Sequence, residues 1–247
     1  MRRFSCLKKW GTSKTGNIDD CDLSLVDLRS AYQWLNEYAY NIGAKSIRVT
    51  WFGGEPLYLG VDYLHEALAM QKELVSLRIE NFMQTNLTLI TNHHIELFRE
   101  YFNGAVGGSI DFGSDWRMFP DGSSCAECIE TKIHLLLNAG IRIGAVCTLT
   151  RANVHKTRPM YGYFKDRNIS FQVNRAAACP EMAKDGLLIS VKEYEHAVIE
   201  LCDLYLQDAE PTIDFHNLTL LVEGYAKENK VVCVDSEFPE YYIGIEA

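Results

Sequence analysis

The octet Thr50-Trp51-Phe52-Gly53-Gly54-Glu55-Pro56-Leu57 concentrates residue types suited to gripping a small ligand. Two adjacent glycines leave backbone N–H and C=O groups uncovered by any Cβ, the acid that follows has no place in an apolar core, and the proline stops the strand before it. An ordinary strand-to-helix turn would use the glycines without needing the acid. An anion nest for phosphate would use them too, but Glu55 beside it argues against that reading. The other reactive side chains are thiols. The cysteines are Cys6, Cys21, Cys125, Cys128, Cys147, Cys179, Cys202 and Cys233, scattered over 247 residues. Such scatter disfavours a disulfide scaffold and leaves free thiols or ligands to a soft metal. Cys125 and Cys128 have the spacing of half a metal site or a redox pair at a helix start, but no second pair matches them, so packed thiols are the simpler reading. Cys147 lies in an apolar strand and reads as core. His93 and His94 at a helix start read as solvated, His134, His155 and His216 show no ligand-like spacing, and Asp214 is either a proton acceptor or a surface acid.

Strands alternating with helices position these groups. Residues 1 to 22 contain no strand-like run and read as an irregular lead-in. Ser24 and Asp27 form a capping-box pattern, and Leu25, Leu28, Ala31, Tyr32 and Leu35 share one helical face, so the first helix ends near Gly43. Ser46 to Phe52 alternates polar with β-branched or aromatic residues and predicts a strand that delivers the glycines at its carboxyl end. Asp62 is expected to cap a second helix. Met83 to Thr91 predicts a strand, Asn92 the cap of a helix, and Ala105 to Asp111 another strand. A helix over Cys125 to Ala139, a strand over Ile143 to Thr150, a helix opened by Asn153 and a strand over Ser170 to Asn174 complete the series. This repetition predicts right-handed βαβ crossovers, a parallel sheet and a ligand at the strands' carboxyl ends. Beyond a soft boundary near residue 185 come a helix over Val191 to Gln207, a further helix within Thr212 to Tyr225, and two short strands, Val231 to Val234 and Tyr241 to Ile245.

Composition excludes several classes. Apolar residues make up 47% and charged residues 23%, as in a soluble globular domain. The formal net charge of −9 opposes nucleic-acid binding, which needs clustered Lys and Arg. No apolar run reaches the roughly 18 residues of a membrane span, and no signal peptide follows Arg2-Arg3, so a cytoplasmic protein without a membrane partner is expected.

The octet closely resembles the GGEP motif of radical S-adenosylmethionine enzymes, in their sulfatase- and peptide-maturase branch. The resemblance covers roughly residues 24 to 180. Gln84-Thr85-Asn86 is similar to the family's QTNG, Ser109-Ile110-Asp111 to its SIDG, and Arg117 falls where the family has a downstream arginine. The resemblance implies an α/β fold, a partial parallel (β/α) barrel, over residues 1–185, with 186–247 a helical linker and the start of a SPASM-type region. It implies that Gly53, Gly54, Glu55 and Pro56 hold the methionyl amino group of S-adenosylmethionine through backbone oxygens and the Glu55 carboxylate. Ser109 and Arg117 would hold the methionyl carboxylate or ribose, and Asn86 would shape the pocket. The intact enzyme would abstract hydrogen from a peptide or protein side chain and would need a reductant protein.

Leu87 and Phe112 stand where the family prefers glycine, and a positive φ there would strain either side chain. The family's [4Fe–4S] cluster needs three thiolates in Cys-x3-Cys-x2-Cys, and one thiolate cannot hold it. Cys6 could at most be the last of the three, because position 3 is Arg3. Cys233 resembles a first auxiliary-cluster ligand. A chain truncated at both ends is therefore expected, with a missing first strand that would leave Ser46 to Phe52 as a sheet edge. The competing expectation is a cluster-less paralogue that binds a peptide or partner.

Overall fold

A computed structural model describes residues 24–113, 117–176 and 186–226. The lead-in, the boundary near 185, both carboxyl-terminal strands, and Cys6, Cys21, Cys179 and Cys233 lie outside those residues. The described residues divide into two compact units, one comprising 24–107 and 117–142, the other 108–113, 143–176 and 186–226.

In the first unit Ser24 caps helix α1 (Leu25–Asn41), its hydroxyl accepting the Asp27 N–H at 3.1 Å and donating to the Asp27 carboxylate at 2.6 Å. Leu28, Tyr32 and Ala39 of α1 pack with Ile47 of strand β1 (Ser46–Trp51) and with Ala67 and Met70 of α2 (Val61–Leu74). That packing dictates the strand's alternation: Ile47, Val49 and Trp51 turn to the helices, while Ser46, Arg48 and Thr50 are exposed. Helix α2 is capped by Gly60, not by Asp62, which lies in the first turn.

Strand β2 (Arg78–Thr85) runs parallel to β1 in the register Arg48↔Glu80 and Thr50↔Phe82. It begins and ends earlier than the expected Met83 to Thr91. Two features hide it from the sequence. On one face Arg48 lies 4.9 Å over the Phe82 ring and Glu80 pairs with Arg78 at 3.0 Å, so that face is polar. On the other, Asn81 turns towards α2 and is satisfied by Gln71 (Asn81 Nδ2 donating at 2.8 Å) and by the Trp51 indole at 3.2 Å. The apolar residues that follow belong to a turn: Thr88 donates twice to Asn86 Oδ1, at 2.9 and 2.7 Å, and Leu87 takes φ 70° with its side chain fully buried.

Helix α3 (Asn92–Tyr101) is capped by Thr91, not Asn92, and His94, expected in solvent, is buried because its Nδ1 accepts the Thr91 N–H at 3.0 Å in that cap, while His93 is exposed. Strand β3 spans Ala105–Ser109 and α4 spans Ala126–Asn138. In the second unit β4 (Arg142–Leu149) pairs parallel with β5 (Ser170–Arg175). Between them lies α5 (Thr157–Asp166), which starts four residues after Asn153, the position expected to open it. Phe171 of β5 stacks on Phe164 at 4.5 Å and packs tilted against Phe215 at 5.0 Å, fixing the core beside α6 (Val191–Leu206) and α7 (His216–Ala226). The strand order is β1-β2-β3-β4-β5, the order of consecutive βαβ crossovers. Among the described residues β1 pairs with β2 alone.

Leu87 sets two effects against each other. A left-handed leucine costs about 1–2 kcal/mol, whereas truncating a fully buried one costs about 2–5 kcal/mol. Burial dominates, so Leu87→Gly lowers stability by about 2 kcal/mol despite relieving the backbone, as a urea titration at equilibrium will measure.

Candidate functional site

Strand β1 ends and the chain turns at Gly53 (φ 107°) and Gly54 (φ 27°), conformations that side chains resist. Both glycines are exposed, and a Cβ on Gly53 would meet no heavy atom within 4 Å. Glycine is therefore required at position 53 by the backbone and not by crowding from the protein. Glu55 then returns to extended backbone and caps the one-turn 3-10 helix Pro56–Leu59, where proline at the first position sacrifices no hydrogen bond.

The Glu55 carboxylate faces inward. Its Oε1 accepts the Leu57 N–H at 3.2 Å and the Thr85 hydroxyl at 2.5 Å, and its Oε2 accepts the Asn86 N–H at 2.7 Å. The residue is only 7% exposed. It thus fastens the turn after β1 to the end of β2, using donors from Thr85 and Asn86 of the Gln84-Thr85-Asn86 triplet. Thr85 was not singled out by the sequence. Its hydroxyl also accepts the Leu87 N–H at 3.1 Å, so one buried threonine joins the carboxylate to the strained turn. Asn86 contributes twice, its amide to Glu55 and its side-chain oxygen to Thr88.

Arg117 is the second charge here. It is 8% exposed, against the solvated setting usual for a loop arginine, and its carbonyl accepts the Cys125 N–H at 3.0 Å. Burial raises the Glu55 pKa above the usual glutamate range, while the bonds from Thr85, Asn86 and Leu57 and the Arg117 charge oppose that rise. The result is a site with its acid withdrawn behind the glycine backbone and partly balanced by a guanidinium.

In the second unit Ser109 closes β3, the Ile110 N–H donates to Val146 O at 3.0 Å, and Asp111 Oδ1 accepts the Thr148 N–H at 2.8 Å. The left-handed position falls on Gly113 (φ 68°), so Phe112 escapes the strain its place in the motif threatened.

The remaining candidates resolve as structure. Cys125 is fully buried, and burial, followed by the neighbouring Cys128, pushes its thiol up, the opposite of a reactive thiol. Cys128 is half-buried with its sulfur 3.8 Å from Thr88 O, and Cys147 is fully buried as core. Asp214 accepts the Thr219 hydroxyl at 2.5 Å and lies 3.6 Å from His216, at the start of α7. Among the described residues no group of three or more His, Cys, Asp or Glu could hold a metal ion.

No family model matches the chain. It is 23% identical over 204 residues to an uncharacterised protein of Methanothermobacter thermautotrophicus, covering 82% of this chain and 74% of that protein. It is 29% identical over 174 residues to the serine-type anaerobic sulfatase-maturating enzyme of Bacteroides thetaiotaomicron, covering 63% of this chain and 42% of the enzyme. Among solved structures, anSMEcpe with bound AdoMet and the Kp18Cys peptide superposes with a TM-score of 0.75 at 20% identity, over 85% of this chain and 60% of that one. Streptococcus suis SuiB bound to S-adenosylmethionine gives 0.56 at 13%, over 87% of this chain and 46% of that one. These structures share with this chain the partial parallel (β/α) barrel that the sequence led us to expect. The chain spans less than two thirds of the sulfatase-maturating enzyme and of both solved chains.

Glu55 also makes stability depend on pH. A folded-state pKa raised above the unfolded one contributes stability that is complete below the unfolded value and lost as pH rises through the folded one. In Glu55→Gln that component disappears. Urea midpoints across the acid range will show the wild type losing ground relative to the variant as pH climbs from the ordinary glutamate value.

Proposed function

We propose that the chain belongs to the radical S-adenosylmethionine branch that includes the sulfatase and peptide maturases, and that its octet binds S-adenosylmethionine. The observation that carries this reading is the open, left-handed Gly53-Gly54 backbone in front of a buried carboxylate. An ammonium needs acceptors, and glycine leaves the carbonyl oxygens of such a turn uncovered by any Cβ. Glu55 contributes chiefly by its place. With three protein donors on its oxygens, it holds the turn in shape and adds negative potential behind it. Pro56 fixes the exit from the turn, and Asn86 shapes the wall beside it. Ser109 and Arg117 are assigned to the carboxylate or ribose of the same cofactor, for which a hydroxyl and a guanidinium are suitable partners.

The whole protein would act on a peptide or protein side chain, as its relatives' names describe for them: a sulfatase-maturating enzyme, and a structure holding a peptide beside AdoMet. A [4Fe–4S] cluster would supply the electron that cleaves the cofactor. The described residues do not bring together the three thiolates such a cluster needs.

Isothermal titration of the full chain with S-adenosylmethionine tests the reading. We expect saturable binding, and we expect Gly53→Ala to weaken it roughly tenfold, because a Cβ at this φ costs about 1–2 kcal/mol and displaces the turn. Absence of wild-type binding at millimolar cofactor, or an unaffected variant, would refute it.

A further inference from the structure

Asn153 is fully buried, and every polar atom of its side chain is used. Its Oδ1 accepts the Thr150 N–H at 2.8 Å, and its Nδ2 donates to Phe112 O at 3.0 Å and to Thr148 O at 3.1 Å. Its own carbonyl accepts the Lys156 N–H at 2.9 Å, and Lys156 Nζ then reaches back to Gly113 O at 2.7 Å. Two side chains from the turn after β4 therefore hold two carbonyls of the segment after β3. The same segment is fixed from its other end by Ile110 on Val146 and Asp111 on Thr148.

The chemistry at position 153 is restrictive. The side chain must donate two protons to carbonyls of two different segments and accept one from a third backbone group, all without water. Aspartate is isosteric but offers no donor when ionised and would set its charge against both carbonyls; serine is too short and offers one donor. An ordinary turn asparagine bonds only its own neighbours. The bond from Asn153 to Phe112 spans 41 residues and serves another loop.

We infer that Asn153, seconded by Lys156, is a positioning residue that sets the Ser109-Ile110-Asp111-Phe112-Gly113 segment. Its consequence for cofactor affinity rests on the reading that Ser109 contacts S-adenosylmethionine. Asn153 touches no cofactor itself; it acts through the backbone that carries the serine. Loss of its two donors leaves Phe112 O and Thr148 O without those partners and frees the segment to move.

The test pairs Asn153→Asp with Lys156→Met and the conservative Lys156→Arg in the full chain. It has two readouts: amide hydrogen exchange over residues 110–113 and affinity for S-adenosylmethionine. Tyr161→Phe, which removes the 2.7 Å bond to Asp208 elsewhere in the unit, serves as the control for general destabilisation. We expect exchange in the segment to quicken and affinity to fall roughly tenfold in Asn153→Asp. Smaller changes of the same sign are expected in Lys156→Met, recovery in Lys156→Arg, and neither change in Tyr161→Phe. If Asn153→Asp does not fold, the lysine pair decides by the same readouts. Unchanged exchange in the segment overturns the inference whatever the affinity. Quickened exchange in a chain whose wild type binds no cofactor would uphold the positioning role while refuting the cofactor reading. Quickened exchange with undiminished affinity would overturn the link to binding.

Discussion

One carboxylate organises the first unit. Glu55 lies just beyond β1 yet accepts its strongest bonds from the end of β2, so two parallel strands that share backbone pairing along their length are also fastened at their carboxyl ends. Burying an acid is unfavourable unless donors compensate it. Here a hydroxyl, two amides and the charge of Arg117 do so. The glycines can stay bare because the acid after them is fixed. Without that anchor, two consecutive left-handed residues would sample many conformations and present no defined acceptors to a ligand.

The second unit solves a related problem with neutral groups. The segment after β3 has little apolar side chain to hold it: Ile110 is buried, but Phe112 is only partly so. It is instead pinned by polar side chains, Asp111 reaching out to β4, and Asn153 and Lys156 reaching in from the turn beyond. Such bonds are directional where apolar contacts are not, so they define the backbone of the segment more narrowly.

The alternation in Ser46 to Trp51 announced β1, since Ile47 and Val49 had a helical layer to bury against. The βαβ rhythm announced the fold class for the same reason. β2 was misplaced because its solvent face carries Arg78 and Glu80, its helix-facing Asn81 is satisfied by Gln71, and the apolar Leu87 and Ile90 belong to the turn. The turn at Gly53 and Gly54 was legible because a glycine pair that ends an alternating strand is a turn signal. The inward turn of Glu55 was not, since it depends on Thr85 and Asn86 thirty residues away. The displacement of the left-handed position from Phe112 to Gly113 depends on loop geometry, and a motif alignment cannot show it. Asn153 read as a helix opener because its local pattern is that of a turn; its bond to Phe112 is visible only in three dimensions.

On the proposed reading, the bare backbone at positions 53 and 54 receives the amino-acid end of the cofactor. Nuclear magnetic resonance of the chain labelled at glycine separates that end from the nucleoside. S-adenosylmethionine should shift the carbonyl and amide signals of Gly53 and Gly54, whereas 5′-methylthioadenosine, which lacks the amino and carboxylate groups, should leave them in place. Equal shifts with both compounds, or shifts elsewhere and none at these glycines, would contradict the account.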